Sequence, residues 1–213
     1  MNENHDHARP DHQAPHGEQA WDERYQSRPE IWSGHPNVAL VTEVADLRPG
    51  TALDAGAGEG GDACWLAARG WKVTAADISS VAIERAAKRA SELGLAISWL
   101  HADLAKTPAP ATYDLVTAHF LHVPRSEQPP LFRHLAAAVG PAGTLLVVGH
   151  DFSDMAKLPR PDLIEYGWTA GEVAATLGPG WTIEVTESRP RRAAGPDGDE
   201  VTINDAVLRA RRD

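Results

Sequence analysis

Between residues 51 and 148 the chain alternates at least four times between short apolar runs suited to a strand and longer runs suited to a helix. The alternation demands a parallel sheet with helices on both faces and right-handed crossovers, since a short strand can return parallel to itself only through a covering helix. The expected fold class is therefore α/β: a Rossmann-like, doubly wound, mostly parallel sheet with an antiparallel edge strand. The predicted strands are Thr51–Asp54, Trp71–Ala76, Ile97–Leu100, Tyr113–Ala118 and Thr144–Val148. The last is a continuous branched-apolar run, as expected of a strand covered on both faces. Helices are predicted over Val38–Leu47 behind an Asn37 cap, Ala63–Arg69, from Ser79 or Ser80 to Leu93, Leu131–Val139 and Glu172–Leu177. Trp181–Glu187 and Asn204–Ala210 alternate more and suit a strand pair near the sheet edge. The charged, Pro/Gly-containing stretch Arg189–Glu200 between them reads as a loop.

Composition narrows what such a domain does. A formal charge of −10 over 213 residues argues against a broad basic surface for nucleic acid and against docking on anionic lipid. Cys64 is the sole cysteine, so neither an internal disulfide nor a thiolate cluster can form, and no metal site is expected. The first residues lack a secretory apolar stretch, and the most apolar run, Leu135–Gly149, is too short and too broken to span a bilayer. These features point to a cytoplasmic protein. Residues 1–19 are polar and hold four histidines (His5, His7, His12 and His16) without periodicity; they read as a disordered tail, and 20–213 as one domain. Trp21 and Tyr25 then lie one helical turn apart.

In a doubly wound sheet, ligands bind beyond the carboxyl ends of the strands. The first such segment is Asp54-Ala55-Gly56-Ala57-Gly58-Glu59-Gly60-Gly61. Its glycines permit a tight turn and close approach of a ligand. They also satisfy the dinucleotide pattern G-x-G-x-x-G, which alone does not specify a ligand. Asp54, however, sits badly beside a pyrophosphate and well beside an ammonium and a sulfonium. Asp77 ends the second strand, where a carboxylate can accept from both ribose hydroxyls, a feature shared with NAD enzymes. Asp103 follows the third strand, within reach of an adenine amino group. Blander roles exist for each: a turn cap for Asp54 and Asp103, a helix cap for Asp77.

Together these segments resemble the class I S-adenosylmethionine-dependent methyltransferases. Leu53-Asp54-Ala55-Gly56-Ala57-Gly58-Glu59-Gly60 is similar to that family's first motif, Ala76-Asp77-Ile78-Ser79 to its acidic second-strand motif, and Tyr113-Asp114-Leu115-Val116 to its fourth-strand motif. The resemblance spans roughly residues 50 to 150. Trp21-Asp22-Glu23-Arg24-Tyr25 and Trp32-Ser33-Gly34-His35-Pro36-Asn37 resemble, more narrowly, the tellurite-resistance and thiopurine methyltransferase group. The likeness implies S-adenosyl-L-methionine as cofactor, with Asp54, Ala55, Gly56 and Gly58 around its methionine end. It places Asp77 on the ribose, Ile78 on the adenine face, and Asp103 with Leu104 at the adenine edge. His119 would offer its backbone carbonyl to the ammonium.

Methyl transfer from a sulfonium is an in-line displacement, so the protein chiefly aligns the acceptor and excludes water. A base is required only when the acceptor must first lose a proton. His122 and His119, followed by His150, are the candidates, since each follows a predicted strand; a wall or loop-bonding role is the alternative. Trp21, Tyr25, Phe120, His150, Tyr166 and Trp168, with Phe152 and Trp32, are expected to line an aromatic acceptor pocket or else to form a satellite core. The expected partner is a small acceptor (an aromatic hydroxyl, a thiol or a metalloid oxyanion) and not a nucleic acid or membrane, on a monomer or homodimer. An NAD(P)-dependent oxidoreductase and a non-catalytic S-adenosylmethionine-binding module are the competing readings. The first lacks an evident Ser, Tyr-x-x-x-Lys set.

Overall fold

The computed structural model describes residues 15–151, 165–194 and 200–213. In chain order the elements are α1 (Gly17–Gln26), α2 (Val38–Val44), β1 (Thr51–Ala55), α3 (Gly61–Ala68), β2 (Lys72–Asp77), α4 (Ser80–Glu92), β3 (Ile97–His101), β4 (Tyr113–His119), α5 (Gln128–Ala137), β5 (Val139–His150), α6 (Ala170–Ala175), β6 (Trp181–Ala194) and β7 (Glu200–Arg212). The strands form one seven-stranded sheet in the order β3-β2-β1-β4-β5-β7-β6. β1 to β5 are mutually parallel, and β7 runs antiparallel to both β5 and β6. Strand order reverses between β1 and β4, so their carboxyl ends flank the crevice where such sheets bind ligands.

The two faces of the sheet are separated by the two-residue period of a strand. Leu53, Val116, Leu145, Val147 and Leu208 point into one apolar cluster, completed by Leu131 and Leu135 of α5 and Val173 of α6. Their neighbours Ala52, Leu115, Leu146, Val148 and Val207 point into the other, with Leu40 and Val44 of α2 and Leu66 of α3. Caps fix the helix starts. Asn37 accepts from Ala39 N–H at 2.8 Å, Ser79 from Ala82 N–H at 3.1 Å, and Thr169 with Glu172 forms a capping box.

The structure extends several expected elements. Arg189–Ala194 and the residues from Glu200 are strand, not loop: β6 and β7 form a long hairpin in register from Trp181↔Arg212 to Ala194↔Glu200. Charge alternation along exposed arms looks like loop composition, but cross-strand ion pairs such as Arg191–Asp205 and Arg192–Glu200 hold them together. Gly140 and Pro141, expected to separate a helix from a strand, lie inside β5, where the register shifts opposite Tyr113 and Ala142 adopts φ of 58°. Helix α5 begins at Gln128, with prolines in its first turn where their missing N–H costs nothing. Helix α1 begins at Gly17, inside the stretch expected to be a tail; His5, His7 and His12 lie outside the described residues.

The segment before the sheet is tied across its carboxyl edge by polar contacts. Asp22 of α1 accepts from the Ser79 hydroxyl at 2.5 Å, at the start of α4. Buried Glu59 accepts from the Ile31 and Trp32 N–H groups, each at 3.0 Å, and pairs with Arg85, which also donates to the Tyr25 carbonyl. Among the described residues no helix is long and apolar enough to cross a membrane. Leu146, fully buried at the centre of β5, tests the packing: Leu146→Ala is expected to cost about 2–5 kcal/mol by chemical denaturation.

Candidate active site

Three backbone bonds build the loop after β1. Gly56 and Ala57 both donate their N–H groups to the carbonyl of Ala76, at 2.8 and 3.0 Å, and Gly58 donates to Asp77 Oδ2 at 2.8 Å. The loop is thereby folded back over the tip of β2. Gly58 takes φ of 52°, and a Cβ there would stand 3.0 Å from the Tyr25 hydroxyl and 3.3 Å from Trp32 Nε1. Only glycine suits both the backbone and the space.

A cavity of about 970 Å³ opens over this loop. Gly56, Gly58, Asp77, Ile78, Asp103 and Leu104 line its first pole, the residues expected to hold a nucleoside. Asp77 is buried, and its second oxygen accepts from Ser79 N–H at 2.8 Å. Each carboxylate oxygen keeps a further lone pair for a hydroxyl. Burial pushes the Asp77 carboxyl upward, against the backbone N–H groups that favour its charge. Asp103 is held by Ala105 N–H at 3.0 Å and by Lys106 Nζ at 2.8 Å.

Beneath the loop lies a group that the sequence did not reveal. Asp62, at the start of α3, accepts or shares a proton with His119 Nδ1 at 2.7 Å. Asp54, Asp62 and His119 bring donor atoms within 4.8 Å of one another, a grouping unforeseen by a reading that expected no metal ligands. Burial opposes the charge of His119, but the Asp62 carboxylate more than compensates and raises the imidazole above its ordinary value. Burial likewise opposes ionisation of Asp62, and His119 reverses this, holding that carboxyl low. Asp54 is different. Burial, reinforced by Asp62, pushes it up to about 7, and Thr117 Oγ1 donates to its Oδ1 at 3.1 Å. Asp54 Oδ2 and His119 Nε2 are buried without a partner among the described residues. Orphaned polar atoms at such depth ask for a ligand that supplies hydrogen bonds: an ammonium fits the Asp54 oxygen, and an acceptor such as a carboxylate fits the Nε2–H of a protonated His119.

The opposite pole is aromatic. Ring centroids follow one another from Trp21 to His122 at 5.9 Å, His122 to His150 at 5.7 Å and His150 to Phe120 at 4.9 Å. Phe120 adopts φ of 50°, a region that bulky side chains avoid, and its N–H is held by the Val148 carbonyl at 2.8 Å. Tyr25 also lines the cavity, accepting from Trp32 Nε1 at 3.0 Å; burial raises its hydroxyl above the ordinary range.

Four expected site residues take other places. Trp168 belongs to the core: it packs edge-on to Phe132, and a Cβ on Gly149 would lie 2.7 Å from its ring. Tyr166 stands behind His122, at 6.0 Å between ring centroids, and does not line the cavity. Ala55 is fully buried in the sheet, and Asp54 acts from beneath the loop and not on the cavity wall. Phe152 lies outside the described residues. Conversely, Arg189, Arg191 and Asp205 of the hairpin line the cavity. Arg189 and Arg191 were missed because the strand end carrying them read as loop, and Asp205 because nothing in its predicted edge strand marked it as facing a ligand.

A glycine loop at the switch point, a carboxylate pair at adjoining strand tips and an appended antiparallel hairpin make an arrangement similar to that of class I S-adenosylmethionine-dependent methyltransferases. Residues 52–143 match the family described as a methyltransferase domain. No curated protein matches the chain. Among solved structures, it is similar to a protein studied for conversion of a disulfide bond into a thioacetal group during echinomycin biosynthesis, with 26% identity over 92% of both chains and a TM-score of 0.73. TehB from Haemophilus influenzae has the same fold at 18% identity and a TM-score of 0.73, over 92% of this chain and 67% of that one. So does magnesium protoporphyrin IX methyltransferase from Synechocystis PCC 6803 with bound SAH, at 23% identity and a TM-score of 0.63, over 82% and 80%.

Two outcomes test the site. Asp77→Ala is expected to weaken S-adenosylmethionine binding by about 1.5–3 kcal/mol in calorimetry, the loss of a charge-assisted bond. For Asp54, a carboxyl whose folded value lies above its unfolded one loses stability as pH rises from about 4 to about 7. The melting temperature of Asp54→Asn, relative to the parent, is therefore expected to increase between pH 5 and pH 8.

Proposed function

We propose that the enzyme methylates a small, flat organic acceptor held against the aromatic wall. The observation that carries this reading is the continuity of the cavity, whose nucleoside pole runs directly into the ring-lined pole. A space of about 970 Å³ lies within the range of small-molecule and cofactor pockets. The cofactor supplies a methyl group already activated on sulfonium. Within this reading, Asp77 and Asp103 hold the adenosine, while the His119–Asp62 pair, with Asp54 behind it, serves the methionine end. Helix α1 and the Trp32–Thr42 segment on one side, with the β6–β7 hairpin on the other, roof the space and exclude water.

His122 takes the role of base for an acceptor that must lose a proton. It lines the cavity midway along the wall, between Trp21 and His150. The match to a methyltransferase domain favours this reading over an oxidoreductase on the same sheet. An aromatic hydroxyl is the acceptor best suited to such a wall, ahead of a thiol or a metalloid oxyanion.

The direct test is release of S-adenosylhomocysteine during incubation with S-adenosylmethionine and a panel of phenols, thiols and oxyanions. Turnover is expected with at least one phenol; cofactor binding without turnover on any acceptor would favour a binding module. His122→Ala is expected to lower turnover on a phenol by about 100-fold or more while leaving cofactor affinity nearly unchanged. Equal activity of variant and parent from pH 6 to 9 would remove His122 as the base.

A further inference from the structure

The aromatic wall ends on a charged pair. Arg191 places its guanidinium 5.3 Å from the centroid of Phe120, and its Nε donates to Asp205 Oδ2 at 2.6 Å. Both residues line the cavity. Asp205 is only 8% exposed, and its Oδ1 is buried without a hydrogen-bond partner among the described residues. Among the same residues, the Nη groups of Arg191 form no hydrogen bond, since its one hydrogen bond runs through Nε. A buried carboxylate oxygen left without a donor is costly, and its residue belongs to the cavity lining.

We propose that the Arg191–Asp205 pair is the specificity element of the acceptor pole. It reads the edge of a planar acceptor that carries a hydrogen-bond donor and a hydrogen-bond acceptor side by side, as a lactam, an aromatic amide or an ortho-hydroxy carbonyl compound does. The proposal rests on the methyltransferase reading and adds the chemical class of the substrate. A guanidinium locked to one carboxylate oxygen is a rigid, planar fork. It leaves donors on Arg191 next to an acceptor on Asp205, with no net charge. A simple anion would meet the Asp205 carboxylate and a simple cation the guanidinium, whereas a neutral donor–acceptor edge satisfies both. The face of that molecule then lies along Phe120 and His150.

The pair is also well held. Asp205 is the register partner of His150 across β5 and β7, and Arg191 lies on the adjacent strand, opposite Ile203. Sites carried on strands keep their geometry better than sites on loops. Burial raises the Asp205 carboxyl, and Arg191 opposes that rise. Any donor that a ligand brings to Oδ1 therefore relieves an existing deficit.

The test uses protein loaded with S-adenosylhomocysteine and two probes of nearly equal shape, 2-quinolone and N-methyl-2-quinolone, titrated by calorimetry. The first presents N–H beside C=O; the second presents only C=O. At least tenfold tighter binding of 2-quinolone is expected. That preference should fall below twofold in Asp205→Ala, and Arg191→Met should weaken 2-quinolone by about tenfold. Equal binding of the probes by the parent protein would overturn the proposal, as would no binding of either or a preference that survives in Asp205→Ala. The parent comparison decides the matter even if a variant fails to fold, which melting curves report. Failure to bind S-adenosylhomocysteine itself would instead bring down the methyltransferase reading, and this proposal with it.

Discussion

The carbonyl of Ala76 accepts two consecutive N–H groups, from Gly56 and Ala57, and so ties the end of β1 to the end of β2. The rest of the site is arranged around that bond pair. It turns the chain sharply enough that Gly58 reaches Asp77, which fixes the carboxylate that faces the nucleoside pole. It also directs the chain into α3, whose first turn carries Asp62 to His119 on the far side of the switch point. Two strand tips, one loop and one helix start are thus positioned by local backbone geometry and not by long side chains. This is why a sheet of short apolar strands can present so many polar groups at one edge.

Buried charge is the second organising constraint. Asp54, Asp62 and His119 sit together in a poorly solvated pocket, and their mutual attractions and repulsions set which of them ionises. Asp62 and His119 stabilise each other's charge, while Asp54 is left with the repulsion. An arrangement carrying excess acceptor capacity under a glycine loop is poorly suited to phosphate and well suited to a ligand bearing cationic groups. The electrostatics and the family match therefore agree.

Legibility from sequence followed the physics of each element. β1 to β4 were readable because parallel strands in such a sheet are nearly unbroken apolar runs, and their ends fell within one residue of the expected ones; β5 starts five residues before the expected Thr144, through Gly140 and Pro141. Asp77 and the glycines were readable because the turn admits few residue types. Arg191 was not, since a hairpin arm stabilised by cross-strand pairs has the composition of a loop; Asp205 fell in an expected edge strand, but its facing the cavity depends on the pairing of that hairpin. Trp168 misled for the opposite reason: an aromatic after a strand end suits a pocket wall equally well, and only its fit over Gly149 assigns it to the core. Asp62 offered a weak signal as an acidic residue in a helix's first turn, which normally marks a favourable helix dipole and nothing more.

The contacts of α1 and the Trp32 segment give the chain upstream of the sheet a structural duty. Tyr25 and Trp32 rest on Gly58, and Glu59 holds the backbone of Ile31 and Trp32 in return. Cover and cradle are consequently one cooperative unit. The turn at Gly58 therefore leans on side chains of the upstream segment, so a change that displaces Tyr25 or Trp32 also removes support from that turn. A version of the domain pared back to its strands and their crossovers would keep the sheet but lose the shape of its pocket.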